Sequence, residues 1–127
     1  MAEDDPNDQR PDVCVTLMSG PYDGQTYIFP APTGSDPLLI SIGRRESCDI
    51  VINYDAQVSR VHAYVIYDPR DTEYFLEDAN SRNGTYLGSA QTRISARVHI
   101  EPGTFFRIGH TWLRLDPLPK LAEPQIN

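Results

Sequence analysis

The stretch VHAYVIYDPRDTEYFLEDANSRNGTYL, residues 61–87, decides the fold class because it contains three strand-like runs separated by turn residues. In the first run, Val61, Ala63, Val65 and Tyr67 occupy alternate positions, which is the pattern of a strand with one buried face. Val, Ile, Tyr and Phe favour strands, whereas Asp-Pro and Asn-Gly steps are suited to chain reversals. The stretch therefore predicts successive β-strands joined by turns.

Short apolar runs punctuated by Gly, Pro, Asn and Asp continue along the rest of the chain, and no window has a convincing helical periodicity. We predict strands at about 13–18, 25–29, 38–42, 49–52, 61–67, 73–77, 85–87, 97–100, 104–108 and 111–115. Strands of this length and spacing indicate an all-β fold, a two-sheet antiparallel β-sandwich. Trp112 is expected in its core.

The length of 127 residues is that of one domain, and 39% of the residues are hydrophobic. No apolar run reaches the roughly 18 residues of a membrane-spanning helix. The first residues, MAEDDPNDQRPD, lack the basic and apolar regions of a signal peptide. We therefore expect a cytoplasmic protein that does not bind membranes.

Acidic residues are concentrated at the two ends of this chain, whose net charge is −7. Residues 1–12 contain five acidic side chains and one arginine, and residues 116–127 carry a further net charge of −1. We predict flexible tails over these two segments and a folded domain over 13–115. Because this domain has no basic excess, nucleic acid is not an expected partner.

Neither a metal site nor a cofactor is predicted. Cys14 and Cys48 lie in strand-like segments, where they are expected to be reduced and partly buried thiols. His62, His99 and His110 form no metal-ligand spacing with them. The chain also lacks a phosphate-cradling P-loop and a pattern of metal-binding carboxylates.

Polar residues at strand ends are the candidate functional residues, although each also has a structural explanation. Arg44 can be an exposed charge at a sheet edge, and Ser59 can belong to a turn. His62 can be a hydrogen-bonded core histidine. The Asn83-Gly84 pair can simply form a turn, since both residues tolerate positive φ.

Three short motifs contain these residues, and their order and spacing are more informative than any single residue. The motifs are Gly43-Arg44, Ser59-Arg60-Val61-His62 and Asn80-Ser81-Arg82-Asn83-Gly84-Thr85. Together with the apolar segments between them and the closing GTFFRIG, they resemble the forkhead-associated (FHA) family. The resemblance covers roughly residues 13–115.

The resemblance implies a sandwich of about eleven strands whose loops at one end bind phosphothreonine peptides. By position, Arg44 would contact the phosphate or the adjacent peptide backbone. Ser59 would donate its hydroxyl to the phosphate, and Arg60 would flank it. Arg82 and Asn83 would approach from the opposite loop, with the Asn83 amide fixing the peptide backbone.

The resemblance also implies architectural roles for four further residues. These are Gly43, His62, Gly84 and Thr85. His62 would tie the loop that carries Ser59 to its neighbour. Arg82 stands where family members often have a small hydroxyl residue, and we predict that it adds a charged donor to the phosphate site; the alternative is that it points into solvent.

Phosphothreonine is a chemically reasonable ligand for this set of residues. It carries nearly two negative charges and three strong acceptor oxygens. Arginine forks and hydroxyl donors converging from different loops suit such a group. The expected partners are thus phosphothreonine-containing proteins, substrates of a Ser/Thr kinase, bound by a monomeric domain. Neither tail segment contains Ser or Thr, so binding to a phosphorylated tail of the same chain is not expected.

The same residues allow two alternative functions. A hydrolase would combine Ser59 and His62 with an Asp, but no G-x-S-x-G elbow accompanies them, so we expect no enzyme activity. An FHA-type sandwich could instead associate with proteins independently of phosphate, through its sheet surfaces. Comparing phosphorylated and unphosphorylated forms of one peptide distinguishes this alternative.

Overall fold

The computed structural model describes residues 12–116, so the predicted tails at 1–12 and 116–127 lie almost entirely outside it. This part of the chain is built from strands without a helix. The strands are β1 (Val13–Leu17), β2 (Thr26–Phe29), β3 (Leu38–Gly43), β4 (Ile50–Val51), β5 (Ala63–Asp68), β6 (Glu73–Asp78), β7 (Thr85–Leu87), β8 (Thr92–Arg93), β9 (Arg97–Ile100), β10 (Phe105–Ile108) and β11 (Thr111–Leu115). Accordingly, no helix in residues 12–116 could cross a bilayer.

The strands form two sheets, which confirms the predicted sandwich class. One sheet has six strands in the order β2-β1-β11-β10-β7-β8, and the other has five in the order β4-β3-β5-β6-β9. Pairing is antiparallel except between β3 and β4, which run parallel because an irregular connection carries the chain back before β4 starts. The sandwich is therefore mostly, not wholly, antiparallel.

The core lies between the two sheets and is made almost entirely of aliphatic side chains. Ile40, Val65 and Leu76 of one sheet and Phe106 and Leu113 of the other are fully buried. Alternation along β11 places Leu113 in this core, whereas Trp112 is half-buried and packs against Phe105 with ring centroids 5.6 Å apart. The expectation of a core tryptophan is therefore wrong, because its strand position faces outward.

Both cysteines are free, as the sequence predicts, and they are buried rather than only partly buried. Cys14 lies in β1, and Cys48 lies in the connection between β3 and β4, where its thiol contacts the carbonyl oxygen of Arg60 at 3.3 Å. Burial, the larger cause, and the negative charge of Asp116 raise the pKa of the Cys14 thiol. This thiol is consequently protonated and unreactive near neutral pH.

Strand register explains why several loops meet at one end of the sandwich. In one sheet, Ile42 pairs with Ala63, and Ala63 pairs with Asp78. In the other sheet, Thr85 pairs with Ile108. The connections that follow β3, precede β5 and join β6 to β7 therefore emerge at the same edge, although they are far apart in the chain.

Candidate functional site

A cavity of about 230 Å³ opens among these loops. Its lining residues are Arg44, Ala56, Gln57, Val58, Ser59, Arg60, Arg82 and Asn83. The structure thus brings together all five residues that the sequence proposes as ligand contacts. Three are arginines, and the others offer a hydroxyl and a side-chain amide.

Gly43 lets the end of β3 lie directly against the segment that carries Ser59. A Cβ atom at Gly43 would collide with the carbonyl oxygen of Arg60 and would lie 2.8 Å from its carbonyl carbon. This approach allows the Arg44 N–H to donate to the Ser59 carbonyl at 3.0 Å and the Arg45 N–H to donate to the Arg60 carbonyl at 3.1 Å. The absence of a side chain at Gly43 therefore joins the Arg44 and Ser59 segments.

Arg44 and Ser59 both keep donors available toward the cavity. The Arg44 Nε donates to the Val58 carbonyl at 2.5 Å, which orients the guanidinium and leaves its terminal N–H groups unused within residues 12–116. The Ser59 hydroxyl oxygen accepts a bond of 3.0 Å from the Arg82 backbone N–H. Because this bond uses the oxygen as acceptor, the hydroxyl proton remains free to donate to a ligand.

Asn83 connects the two sides of the cavity. Its Nδ2 donates to the Gln57 carbonyl at 2.9 Å across 26 residues of sequence. The amide has a second N–H and a carbonyl oxygen, and these are the groups with which an asparagine binds a peptide backbone. Asn83 therefore combines a structural bond with unused hydrogen-bonding capacity at the cavity wall.

His62 is fully buried beneath these loops and bonds to two of them. Its Nδ1 accepts the Ser59 N–H at 3.0 Å, and its Nε2 donates to the Gly84 carbonyl at 2.8 Å. Burial lowers the pKa of His62, and the Gly84 bond and the charges of Asp78 and Asp55 only partly oppose this effect. The ring is therefore neutral near pH 7, and neither nitrogen is available to activate the Ser59 hydroxyl.

Asp78 organises the turn that carries Arg82 and Asn83, and sequence reasoning did not identify it. Its carboxylate accepts the Ser81 hydroxyl at 2.6 Å, the Ser81 N–H at 3.0 Å and the Thr85 hydroxyl at 2.7 Å. Burial alone would raise the pKa of Asp78, but these hydrogen bonds outweigh it and lower that pKa. An Asp three residues before a Ser at the start of a turn is the sequence signal that could have indicated this role.

Asp55 has a similar role on the other side of the cavity and was likewise not identified. Its buried carboxylate accepts the His110 N–H at 2.7 Å, the Thr111 hydroxyl at 2.7 Å and the Gln57 N–H at 3.0 Å. Burial opposes ionisation, yet the three hydrogen bonds lower the pKa of Asp55 overall. The partners at 110 and 111 are 55 and 56 residues away, so no local pattern could predict them.

The guanidinium groups of Arg44, Arg60 and Arg82 form no ion pair with any carboxylate in residues 12–116. All three side chains are exposed at the cavity. Nor do those residues contain a cluster of histidine, cysteine or carboxylate groups that could hold a metal ion. The chemistry available here is the binding of an anion by arginine, hydroxyl and amide groups.

Fold and site together define a two-sheet β-sandwich whose loops at one end surround an arginine-rich cavity. The family model described as FHA domain matches residues 40–109, which is more than half of the chain. The chain therefore belongs to the FHA domain family. The match includes every residue of the cavity lining.

Similar proteins and solved structures agree with this assignment. The FHA domain-containing protein FhaB of Mycolicibacterium smegmatis is 38% identical over 84 residues, which are 66% of this chain and 50% of that protein. The chain thus spans about half the length of this relative. Among solved structures, a domain from a structural and functional analysis of phosphothreonine-dependent FHA domain interactions is 26% identical with a TM-score of 0.67, covering 86% of this chain and 99% of that one.

A second solved structure is Mycobacterium tuberculosis EmbR in complex with a low affinity phosphopeptide. It is also 26% identical, with a TM-score of 0.67, and the match covers 85% of this chain and 25% of that one. The two structural matches extend over most of the sandwich described above.

Proposed function

We propose that this domain binds phosphothreonine-containing segments of partner proteins through Arg44, Ser59, Arg60, Arg82 and Asn83. The observation that carries the proposal is the convergence of three arginines on one cavity without a carboxylate partner in residues 12–116. Of the nine arginines in residues 12–116, Arg70, Arg97 and Arg114 each pair with a carboxylate. Three unpaired cations at one point create a positive potential that attracts an anion.

Phosphate fits these groups better than a carboxylate does. Its nearly double charge and three oxygens can accept bonds from Arg44, from the Ser59 hydroxyl and from a flanking arginine at once. Each charge-assisted hydrogen bond contributes about 1.5–3 kcal/mol. After the costs of desolvation and ordering, a few such bonds give roughly micromolar affinity, which suits a reversible signal.

A phosphorylated residue within a peptide is a better ligand than free phosphate because Asn83 can also hold the peptide backbone. The related domains support threonine as that residue, since one was studied for phosphothreonine-dependent interactions and another is bound to a phosphopeptide. The partners would then be substrates of a Ser/Thr kinase in the cytoplasm. The neutral, fully bonded His62 supports binding without turnover.

The test is calorimetric titration of the domain with matched phosphothreonine and unmodified threonine peptides. We expect saturable binding of the phosphorylated peptide and no measurable binding of the other. Arg44→Ala and Ser59→Ala should each weaken binding at least tenfold while the far-ultraviolet circular dichroism stays unchanged. Equal affinity for the two peptides would favour phosphate-independent association, and dephosphorylation of the peptide would indicate an enzyme.

A further inference from the structure

Arg93 lies beside the candidate site, on the short hairpin formed by β7 and β8. Its backbone pairs with Tyr86, and the N–H of the next residue, Ile94, donates to the Thr85 carbonyl at 2.9 Å. Ile94 is buried in the core. The Arg93 backbone is therefore fixed next to the turn that carries Asn83, although its side chain is exposed.

The Arg93 guanidinium rests directly on Gly84. A Cβ atom at Gly84 would lie 2.7 Å from the Arg93 Nε and 2.9 Å from its Cζ, and Gly84 has a φ of 89°. Only a residue without a side chain permits this contact. Since adjacent Cα atoms are about 3.8 Å apart, this contact lies one residue along the chain from Asn83, which lines the cavity.

No described residue pairs with the positive charge of Arg93. Within residues 12–116, its side chain makes neither a hydrogen bond nor an ion pair. The neighbouring arginine on the same sheet face, Arg107, stacks 4.5 Å from the centre of the Tyr86 ring, and its Nε donates to Gln91 at 2.8 Å. Arg107 is thus engaged within the fold, whereas Arg93 is available.

We propose that Arg93 recognises an acidic side chain of the bound peptide, at a position flanking the phosphothreonine. This inference rests on the proposed function. A carboxylate matches the planar arginine fork, and Arg93 is outside the set of residues that line the cavity, so it is placed for a flanking residue rather than for the phosphate. An extended peptide advances about 3.3 Å per residue, so residues two or three positions from the phosphothreonine lie roughly 7–10 Å from it.

An exposed pair of this kind contributes to the choice of partner more than to overall affinity. Surface ion pairs are screened by solvent and salt, and measured contributions are small. A peptide with an acidic residue at the favoured position should consequently bind only about two- to fivefold more tightly than its neutral counterpart. Such a factor distinguishes among substrates of one kinase once the phosphate has been bound.

The experiment uses phosphothreonine peptides in an alanine background, each with a single aspartate at one position within four residues of the phosphothreonine. Dissociation constants are compared with the all-alanine phosphopeptide for the wild-type domain, Arg93→Gln and Arg93→Glu. Arg70→Gln, which changes an arginine at the β5–β6 turn, is the matched control. We expect aspartate at one position to tighten binding two- to fivefold, relative to the all-alanine phosphopeptide, in the wild-type domain and in Arg70→Gln. In Arg93→Gln, the same aspartate should leave the dissociation constant unchanged. Arg93→Glu should bind the peptide with aspartate at that position more weakly than it binds the all-alanine phosphopeptide.

Three results would overturn the inference. If Arg93→Gln retains the aspartate preference, another residue reads the flank, and the proposed phosphothreonine binding stands. If Arg93→Gln weakens all phosphopeptides equally, Arg93 contacts the phosphate instead. If no phosphopeptide binds the wild-type domain, the proposed function fails, and the role of Arg93 fails with it.

Discussion

The sheet faces and the loop end of this domain use arginine differently. On the strands, Arg97 and Arg114 each contact a carboxylate, with Nε to oxygen distances of 2.9 and 2.5 Å. At the loop end, Arg44, Arg60 and Arg82 contact no carboxylate of residues 12–116. Arg97 and Arg114 are thus neutralised within the fold, whereas the three loop-end arginines, like Arg93 on the neighbouring β8, are left available.

The difference follows from how the acidic residues of the loop end are used. Asp55 and Asp78 face inward, where hydroxyl and backbone N–H groups satisfy them. These bonds hold the loops without engaging a cation. His62 adds a neutral connection between two loops. The loop end is therefore rigid and still carries unpaired positive charge, which is the arrangement that binds an anion with little reorganisation.

The largest expected effect comes from removing the neutral connection at His62. His62→Leu leaves the buried Ser59 N–H and Gly84 carbonyl without a partner, and each such loss costs about 1–3 kcal/mol. We expect the free energy of unfolding, measured in urea, to fall by about 2–4 kcal/mol. His99→Leu is the matched control at an exposed histidine and should change it by less than about 0.5 kcal/mol. Equal effects of the two substitutions would mean that the His62 bonds do not stabilise the loop end.

The second largest effect is expected on peptide binding, when an arginine of the loop end is replaced instead of one on a strand. Arg44→Gln should weaken phosphothreonine peptide binding by about 1.5–3 kcal/mol, roughly 10- to 150-fold, because it removes a charge-assisted donor from the phosphate. Arg97→Gln removes an arginine already paired with Glu77 and should leave the dissociation constant unchanged. Calorimetry of both variants checks the comparison. Similar losses in both would show that binding depends on overall charge and not on the cavity.

The third effect is the pH dependence of stability that His62 confers. Because the pKa of His62 in the folded domain is lowered from 6.5, acidification protonates this histidine in the unfolded chain at a higher pH than in the folded domain. Stability is consequently complete above pH 6.5 and falls on acidification below it, by up to about 1.4 kcal/mol per pH unit until the folded pKa is reached. Asp55 and Asp78 have lowered pKa values, so their contribution is lost only below about pH 3.8.

Urea unfolding between pH 7 and pH 4.5 separates these contributions. The slope in this range should be smaller in His62→Gln than in the wild-type domain, whereas His99→Gln should retain it. A slope that is unchanged in His62→Gln would assign the pH dependence to another group.

The sequence predicts the fold well because the sandwich depends on local patterns of alternation and turns. Ten of the eleven strands coincide with predicted runs, and β8 was missed because Thr92–Arg93 has only two residues and both are exposed. Trp112 is expected in the core, but the phase of β11 turns it outward. Strand phase, rather than residue type, decides which face a side chain takes.

The candidate site was predictable where short motifs identify it and unpredictable where distant contacts build it. Three motifs indicate five of the eight residues that line the cavity. The role of Asp55 was not predictable because two of its three partners follow more than 50 residues later. The approach of Arg93 to Gly84 depends on the register between β7 and β8, which no local pattern fixes.

The smallest expected effect is that of Arg82, whose backbone and side chain have separate roles. Its backbone N–H donates to the Ser59 hydroxyl oxygen whatever its side chain, so Arg82→Ala should leave the turn and the free energy of unfolding intact. Unlike Arg44, whose Nε is held by Val58, Arg82 makes no side-chain hydrogen bond in residues 12–116 and must lose conformational freedom on binding phosphate. We therefore expect Arg82→Ala to weaken phosphopeptide binding by only about 1 kcal/mol, roughly fivefold. An unchanged dissociation constant in calorimetry would mean that the Arg82 guanidinium points into solvent and that Arg44 and Arg60 alone neutralise the phosphate.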